Sequence, residues 1–286
     1  MSDVVLKVRR RKPRWQRVSI FGYLTLAVVA FASVFPFYWM FVVASQGTEA
    51  ISSPTPVLVP GPRFFTVIQH VYEVIPFNAA LINTTFVGLT VALAQVFFSA
   101  LAGFAFAKLN FRGRKFMILF VIGTMMLPSQ LGIIPLYMMI SQAGWMDSLT
   151  ALIVPALVTA FGVFWMRQVV DAQVPNELLE AASIDGAGVM RIYWSIVLPI
   201  IRQSGFVLGL FSFLASWNDF LWPSLVLQTP DHFTAQVAVS QLKASYVIDY
   251  ALNLGGAFMA TAPLLLLFVF VGRRLVSGVM DGAVKG

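Results

Sequence analysis

The sequence has no cysteine and only two histidines, His70 and His232. Disulfides and thiolate metal sites are therefore excluded. The two imidazoles lie far apart, each without a neighbouring ligand at metal spacing, so no metal site is expected. Charge is scarce as well: 11% of the 286 residues are charged, where a soluble domain carries about 25%. Only 12 residues are acidic, and apart from Asp219 the long apolar runs are essentially free of them. That argues against the buried carboxylate and histidine chains of proton-coupled carriers. No Gly-Lys dipeptide occurs, so there is no Walker A loop to cradle phosphates, and no cofactor is expected. With no cluster of His, Cys or paired carboxylates, an enzyme site has no visible basis.

What is abundant is apolar sequence, 59% of the chain. A helix needs about 20 apolar residues to cross a hydrocarbon core. Six stretches meet that need: 19–44, 79–107, 116–140, 149–166, 205–227 and 254–271. Pro36, Pro128, Pro135, Pro155 and Pro223 fall within them, and membrane helices tolerate proline where neighbours satisfy the freed carbonyls. The first stretch follows a basic segment but far exceeds a signal-peptide core, so it reads as a retained helix. The expected class is an all-α, six-span membrane protein. Its divisions are a basic N-terminal segment at 1–18, a membrane domain at 19–272 and a tail at 273–286.

The 19 Lys and Arg set the orientation. Seven precede the first span, four follow the second (Lys108, Arg112, Arg114 and Lys115), three lie between the fourth and fifth, and three close the chain. The remaining connections hold only Arg63 and Lys243. The positive side is cytoplasmic, which puts both termini inside. Topology and attraction to anionic lipid account for the basic N-terminus without nucleic acid. Trp39, Trp145, Trp165, Trp217 and Trp222 fall near span ends, where indoles favour the headgroup level. Small residues at 100–107 suit close helix approach. The connection at 45–78, rich in Pro and Gly, reads as an irregular, non-helical external loop.

One cytoplasmic connection, 167–203, is unusually long and carries helix signals. Pro175, Asn176 and Glu177 form a helix start in which Asn can cap. Leu178, Leu179, Ala181, Ala182 and Ile184 are apolar, and Glu177, Glu180 and Asp185 are charged. Gly186 and Gly188 stop the helix, and a second stretch, 189–197, leads into the fifth span. A helix lying on lipid headgroups would be rich in Lys and Arg. This one is acidic, which fits a knob for another protein better.

The run Glu180-Ala181-Ala182, three residues, Gly186, nine residues, Ile196-Val197-Leu198-Pro199 matches the EAA motif of ATP-binding-cassette importer permeases. The resemblance covers most of the chain and looks like the carbohydrate, maltose-type branch. It extends to Asn83-Thr84, Ala105-Phe106-Ala107-Lys108, Phe111-Arg112-Gly113-Arg114, Phe164-Trp165-Met166-Arg167-Gln168, Trp217-Asn218-Asp219-Phe220-Leu221-Trp222-Pro223 and Gly282-Ala283-Val284-Lys285-Gly286. The chain departs from the family at Gly272–Val276 and at Asp281. The resemblance implies a type I importer fold in a bacterial or archaeal cytoplasmic membrane, forming half of a path for a sugar or oligosaccharide. The coupling loop, 171–203, would dock on an ATPase dimer through Glu180, Ala181, Ala182, Asp185, Gly186, Ile196, Leu198 and Pro199. A second permease subunit, an external solute-binding protein and a tail contact through Gly282, Ala283, Val284, Lys285 and Gly286 are implied too. Glu180 and Gly186 either touch the ATPase or only shape the loop. The same machine could serve a polyamine, phosphate or an amino acid, and an ion-coupled carrier is the alternative of a different class.

At 1.5 Å rise per residue, straight helices bring Gln130, Asn218, Asp219 and Asn83 to the outer third of the membrane. They would face a common vestibule that hydrogen-bonds solute hydroxyls, or the amides would link helices and Asp219 would mark a boundary.

Overall fold

The computed structural model describes residues 19–48, 51, 55, 57–243 and 249–283, of which 273–283 are described by backbone alone. The basic segment 1–18 lies outside them. Every regular element among the described residues is helical. The longest single elements are α1 (Ile20–Gln46), α3 (Phe77–Lys108) and α13 (Tyr250–Ala283), with α2 (Phe64–Val74) ahead of α3. Next come α4 (Arg114–Met125), α5 (Ile133–Gln142), α6 (Thr150–Ile153), α7 (Ala160–Gln173) and α8 (Asn176–Ile184). The remainder are α9 (Val189–Ile192), α10 (Leu198–Asn218), α11 (Leu221–Val226) and α12 (Ala235–Gln241).

Among the described residues four helices are long and apolar enough to cross a membrane, and two bent pairs raise the number to as many as six. The expected straight span at 116–140 is not straight. Arg114–Met125 and Ser129–Gln142 meet at 97°, because Pro128 is extended (ψ 125°) and opens a short 3-10 turn, Ser129–Gly132. Proline lacks the N–H and crowds the preceding turn, so the helix breaks there. The expected span at 149–166 also bends, by 40°, between Thr150–Ala156 and Ala160–Gln173. The fifth span starts earlier than expected, as one helix over Val189–Asn218. It widens into a π turn at Tyr193–Val197 just ahead of Pro199, whose missing N–H breaks the ordinary ladder.

Helices α3 and α7 run parallel and touch closely at Gly103 and Gly162. A Cβ on Gly103 would lie 2.7 Å from the Met166 carbonyl carbon, and one on Gly162 2.5 Å from Ser99 Oγ. The small residues thus serve the close approach expected of them. Helix α10 runs antiparallel to α3, with Gly209 opposite Val96 and Phe213 opposite Gly88. Gln95, buried among them, ties all three together. Its amide donates to the Ala156 carbonyl at 3.0 Å, and its oxygen accepts from Thr159 (3.2 Å) and Ser212 (2.8 Å). The bend after Ala156 frees that carbonyl, and a buried acceptor left alone would cost about 1–3 kcal/mol.

The connection at 45–78 is not wholly irregular. It holds no proline between Pro62 and Pro76, and 64–74 forms α2, whose Val71 is buried and whose Phe64 packs on Phe41 and Phe258. Thr48 donates to the Asp249 carboxylate at 2.7 Å, joining the end of α1 to the start of α13. Burial pushes the Asp249 carboxyl up, but Thr48 and the N–H groups of Leu252 and Ala251 outweigh it and hold the group below its usual range.

Candidate functional site

The antiparallel arrangement gathers the turns into two ends. One end carries the α3–α4 turn, α8 and the start of α9. The other carries the end of α1, α2, the 143–149 connection, 219–235 and the start of α13.

At the first end, α8 forms a knob. Pro175 is extended and Asn176 begins the helix without a side-chain cap. Asn176 instead accepts a hydrogen bond from Lys108 Nζ at 2.8 Å, which fastens the knob to the end of α3. Lys108, expected from the sequence as an orienting charge and as part of the family resemblance, is thus also a loop-setting residue. The stop at Gly186 is as expected: φ is +78°. The Gly186 N–H donates to Ser183 O and the Ala187 N–H to Ala182 O, the paired bonds of a Schellman ending. A Cβ on Gly186 would meet nothing within 4 Å, so backbone conformation, not crowding, calls for glycine here.

Leu179, Ala182, Ala187 and Leu198 seat this turn on a core of Phe104, Met166, Val170, Ile192, Tyr193 and Val197. Ala182 therefore packs inward. Its neighbour Ala181 is exposed, as are Glu180, Asp185, Gly186 and Pro199, and Ile196 is half-buried. The outer surface is apolar with an acidic border: Ile184 is 86% exposed, and Leu178, Val189 and Met190 are about half exposed or more. Single exposed apolar residues are ordinary, but a group of them on one projecting turn marks an interaction surface.

At the other end, polar groups are spent inside the chain. Asn83 donates to the carbonyls of Asp231 (2.8 Å) and Phe233 (3.1 Å). Thr84, buried beside it, accepts from the Ala235 N–H at 2.7 Å. Trp217 is 3% exposed and donates to Ala260 O, while Trp222 donates to Ala151 O, so neither indole is simply a headgroup anchor. Asn218 is exposed and bonds its own helix at Leu214 O. Asp219 follows the last turn of α10 as its C-cap. Gln130 is exposed in the 3-10 turn between α4 and α5, so a depth counted along a straight helix does not apply to it. Gly282 and Ala283 end α13, whereas Val284, Lys285 and Gly286 lie outside the described residues.

A seam that sequence reading missed joins the 143–149 connection to the segment after α11. Asp147 adopts φ +55° and accepts from the N–H groups of Gln228 (2.8 Å) and Thr229 (2.9 Å). The Thr229 hydroxyl donates to it too, and His232 Nδ1 stands 3.3 Å away. The Thr229 hydroxyl, then the two N–H groups, hold the Asp147 carboxyl well below the usual carboxylate range, against a smaller opposing effect of burial. Among the described residues no group of three His, Cys, Asp or Glu could hold a metal ion.

The family of binding-protein-dependent transport system inner membrane components matches residues 95–277, which include the knob, its seat and α10. The arabinooligosaccharides transport system permease of Halalkalibacterium halodurans is 31% identical, over 91% of this chain and 94% of its own. The lactose transport system permease of Rhizobium radiobacter is also 31% identical, over 97% and 98%. The sn-glycerol-3-phosphate transport system permease of Yersinia pestis is 28% identical, over 92% and 96%. In fold, the chain is similar to one in a crystal structure of a bacterial ABC transporter involved in the import of the acidic polysaccharide alginate. The TM-score is 0.78 over 92% of this chain and 98% of that one, at 19% identity. The chain belongs to the inner membrane components of binding-protein-dependent transport systems.

Proposed function

We propose that this permease forms half of the translocation path of a sugar importer and couples it to a separate ATPase by seating α8 in that partner. The observation that carries this reading is the α8 turn itself. Its Schellman ending and the Lys108–Asn176 bond fix its shape, and its core seats only one face. Leu178, Ile184, Val189 and Met190 are left outward beside Glu177, Glu180 and Asp185. An apolar centre with a charged rim suits a groove on another protein. In this reading Ala182 and Leu198 anchor the knob from within, and Ala181, Glu180 and Ile184 meet the partner.

The α8 end faces the cytoplasm, since that end and both termini carry seventeen of the 19 basic residues. Six crossings follow if each bent pair counts as one. A second permease completes the path, and a solute-binding protein delivers solute at the opposite end, in the cytoplasmic membrane of a bacterium. ATP hydrolysis belongs to the partner, because the chain lacks a Walker A loop. The relatives' solutes, arabinooligosaccharides, lactose and sn-glycerol-3-phosphate, share dense hydroxyl groups. A neutral sugar or oligosaccharide fits the two relatives at 31% identity. The glycerol phosphate relative supports a second reading, an anionic polyol.

The test is co-purification of the ATPase with Ile184→Asp and Glu180→Lys variants that reach the membrane at normal levels. Loss of the ATPase and of sugar-stimulated hydrolysis is the expected result; full retention of both rejects the docking role.

A further inference from the structure

A second feature of the α8 end is unused by coupling. A cavity of about 720 Å³ opens at the α3–α4 turn, lined by Asn110, Phe111, Arg114, Lys115, Phe116 and Arg167, with Gly113 and Ile118 completing it. Three cations share it and no acid lines it. Neither Lys115 nor Arg167 has an acidic partner among the described residues. Arg114 is held rigidly by bonds to the carbonyls of Phe106, Ala107 and Leu109 and to Asn110 Oδ1. It caps the end of α3 while keeping its charge at the cavity. Arg167 gives one bond, to Gln168, and its Nε is buried without a partner.

The cavity also receives the start of α4, a 12-residue helix whose N-cap, Gly113, offers no side-chain oxygen. Its cap and first turn, Gly113, Arg114, Lys115 and Phe116, line the same space. The Arg114 N–H is spent on Phe111 O at 3.4 Å, but the positive dipole end of α4 remains there, and a helix start of this kind attracts anions. Cations, helix dipole and an unpartnered donor converge independently on one ligand chemistry, a phosphate-like anion.

Position narrows the source. The cavity lies where the α3 span ends and α4 begins. Just beyond it α4 exposes Phe116 (73%), Leu119 (67%) and Phe120 (65%), a surface for acyl chain rather than for water. We propose that this cavity binds the phosphate headgroup of an anionic phospholipid of the cytoplasmic leaflet, with the acyl chains lying along α4. The leaflet assignment rests on the orientation proposed above; the chemistry of the site does not. Lys115 and Arg167 contact the phosphate, the α4 N-terminus adds donors, and Arg114 supplies fixed charge.

The test uses the assembled importer, the permease pair with its ATPase, in native mass spectrometry with added phosphatidylglycerol or phosphatidylcholine. Phosphatidylglycerol is retained in preference. An interfacial cation contributes roughly fivefold in anionic lipid binding, so Lys115→Gln with Arg167→Gln weakens retention by roughly 25-fold. Lys115→Gln alone, at an exposed position, gives roughly fivefold and covers the case in which the double variant does not fold. Lys115→Gln with Arg167→Lys leaves only the roughly fivefold loss of Lys115→Gln alone. Arg112→Gln, the same charge removed outside the cavity, leaves retention unchanged.

Three results overturn the proposal. Equal retention of the two lipids means that the cavity does not select an anionic headgroup. An Arg112→Gln effect as large as that of Lys115→Gln means diffuse attraction. Displacement of the lipid by millimolar inorganic phosphate means that a soluble anion is the ligand. Failure of the orientation is separable: a single Cys introduced at Asn110, in this cysteine-free chain, would then react with impermeant maleimide in intact cells while lipid preference in detergent persisted.

Discussion

The two ends of the molecule solve the problem of connecting helices in opposite ways. At the seam end, side chains are spent on the chain itself: Asp147 on Gln228 and Thr229, Asn83 on Asp231 and Phe233, Thr84 on Ala235. At the α8 end, the turn is fixed by backbone bonds and by Lys108 on Asn176, while its apolar and acidic side chains stay outward. The first is architecture; the second has a shape of its own and an exposed apolar surface, the one proposed here to meet the ATPase. Mutations should therefore separate: at α8 they cost function at constant stability, and elsewhere they cost stability at constant coupling.

The largest effect is expected at Gly186. With φ at +78°, a β-branched residue is strained where Asn is tolerated. Gly186→Val should lower solute-stimulated ATPase by roughly tenfold or more, since it misshapes the knob at about 1–2 kcal/mol per left-handed residue. Gly186→Asn should stay near wild type. Melting of the purified permease should change little in either, because nothing packs on this position and Val relieves its strain by distorting the exposed turn rather than the core. If Asn fails as badly as Val, shape is not what the partner reads.

Next is Gln95, within the frame that holds both ends. Gln95→Leu strands the Ala156 carbonyl and two hydroxyls, so denaturation in detergent should show a loss of about 1–3 kcal/mol. ATPase retention per folded molecule should be unaltered. An unchanged stability would mean that the three-helix junction is held by packing at Gly103 and Gly162 alone.

Gln95 also marks the limit of what was legible in the sequence. The knob could be read because its chemistry is local: an acidic helix, a glycine stop and a fixed spacing all lie within 176–199. The apolar runs could be read because hydropathy averages over a span, but the same averaging hides the 97° break at Pro128 and the π turn before Pro199. Helix α2 was masked by the prolines just ahead of it, although Phe64, Val67 and Val71 fall on one helical face. Nothing local distinguishes Gln95 from any lone glutamine, since its partners lie 61 to 117 residues away.

Asn83 tests whether a residue of the seam end also serves solute. Its amide is committed to two carbonyls, so Asn83→Ala should cost about 1 kcal/mol of stability and leave the apparent KM for import unchanged. A KM raised severalfold with unchanged melting would return Asn83 to the solute path and erase the contrast between the two ends.

The smallest effect is expected at Asp147, where pH is the probe. Its carboxyl is held below the usual range, so the folded form binds its proton more weakly than the unfolded chain does. The stabilisation is then fully present at neutral pH. It begins to fall as pH drops through the unfolded value of about 4, and disappears only below the folded value. Asp147→Asn tolerates the left-handed backbone but loses the charge that draws in the two N–H groups, the Thr229 hydroxyl and His232. Its melting temperature should lie slightly below wild type at pH 7, and the gap should narrow as the buffer is taken from pH 5 towards 3. A gap that widened on acidification would mean that His232, not the Asp147 carboxylate, governs the seam. Sugar-stimulated ATPase at pH 7 should be unchanged by Asp147→Asn, because α8, the proposed ATPase contact, lies at the other end of the helices.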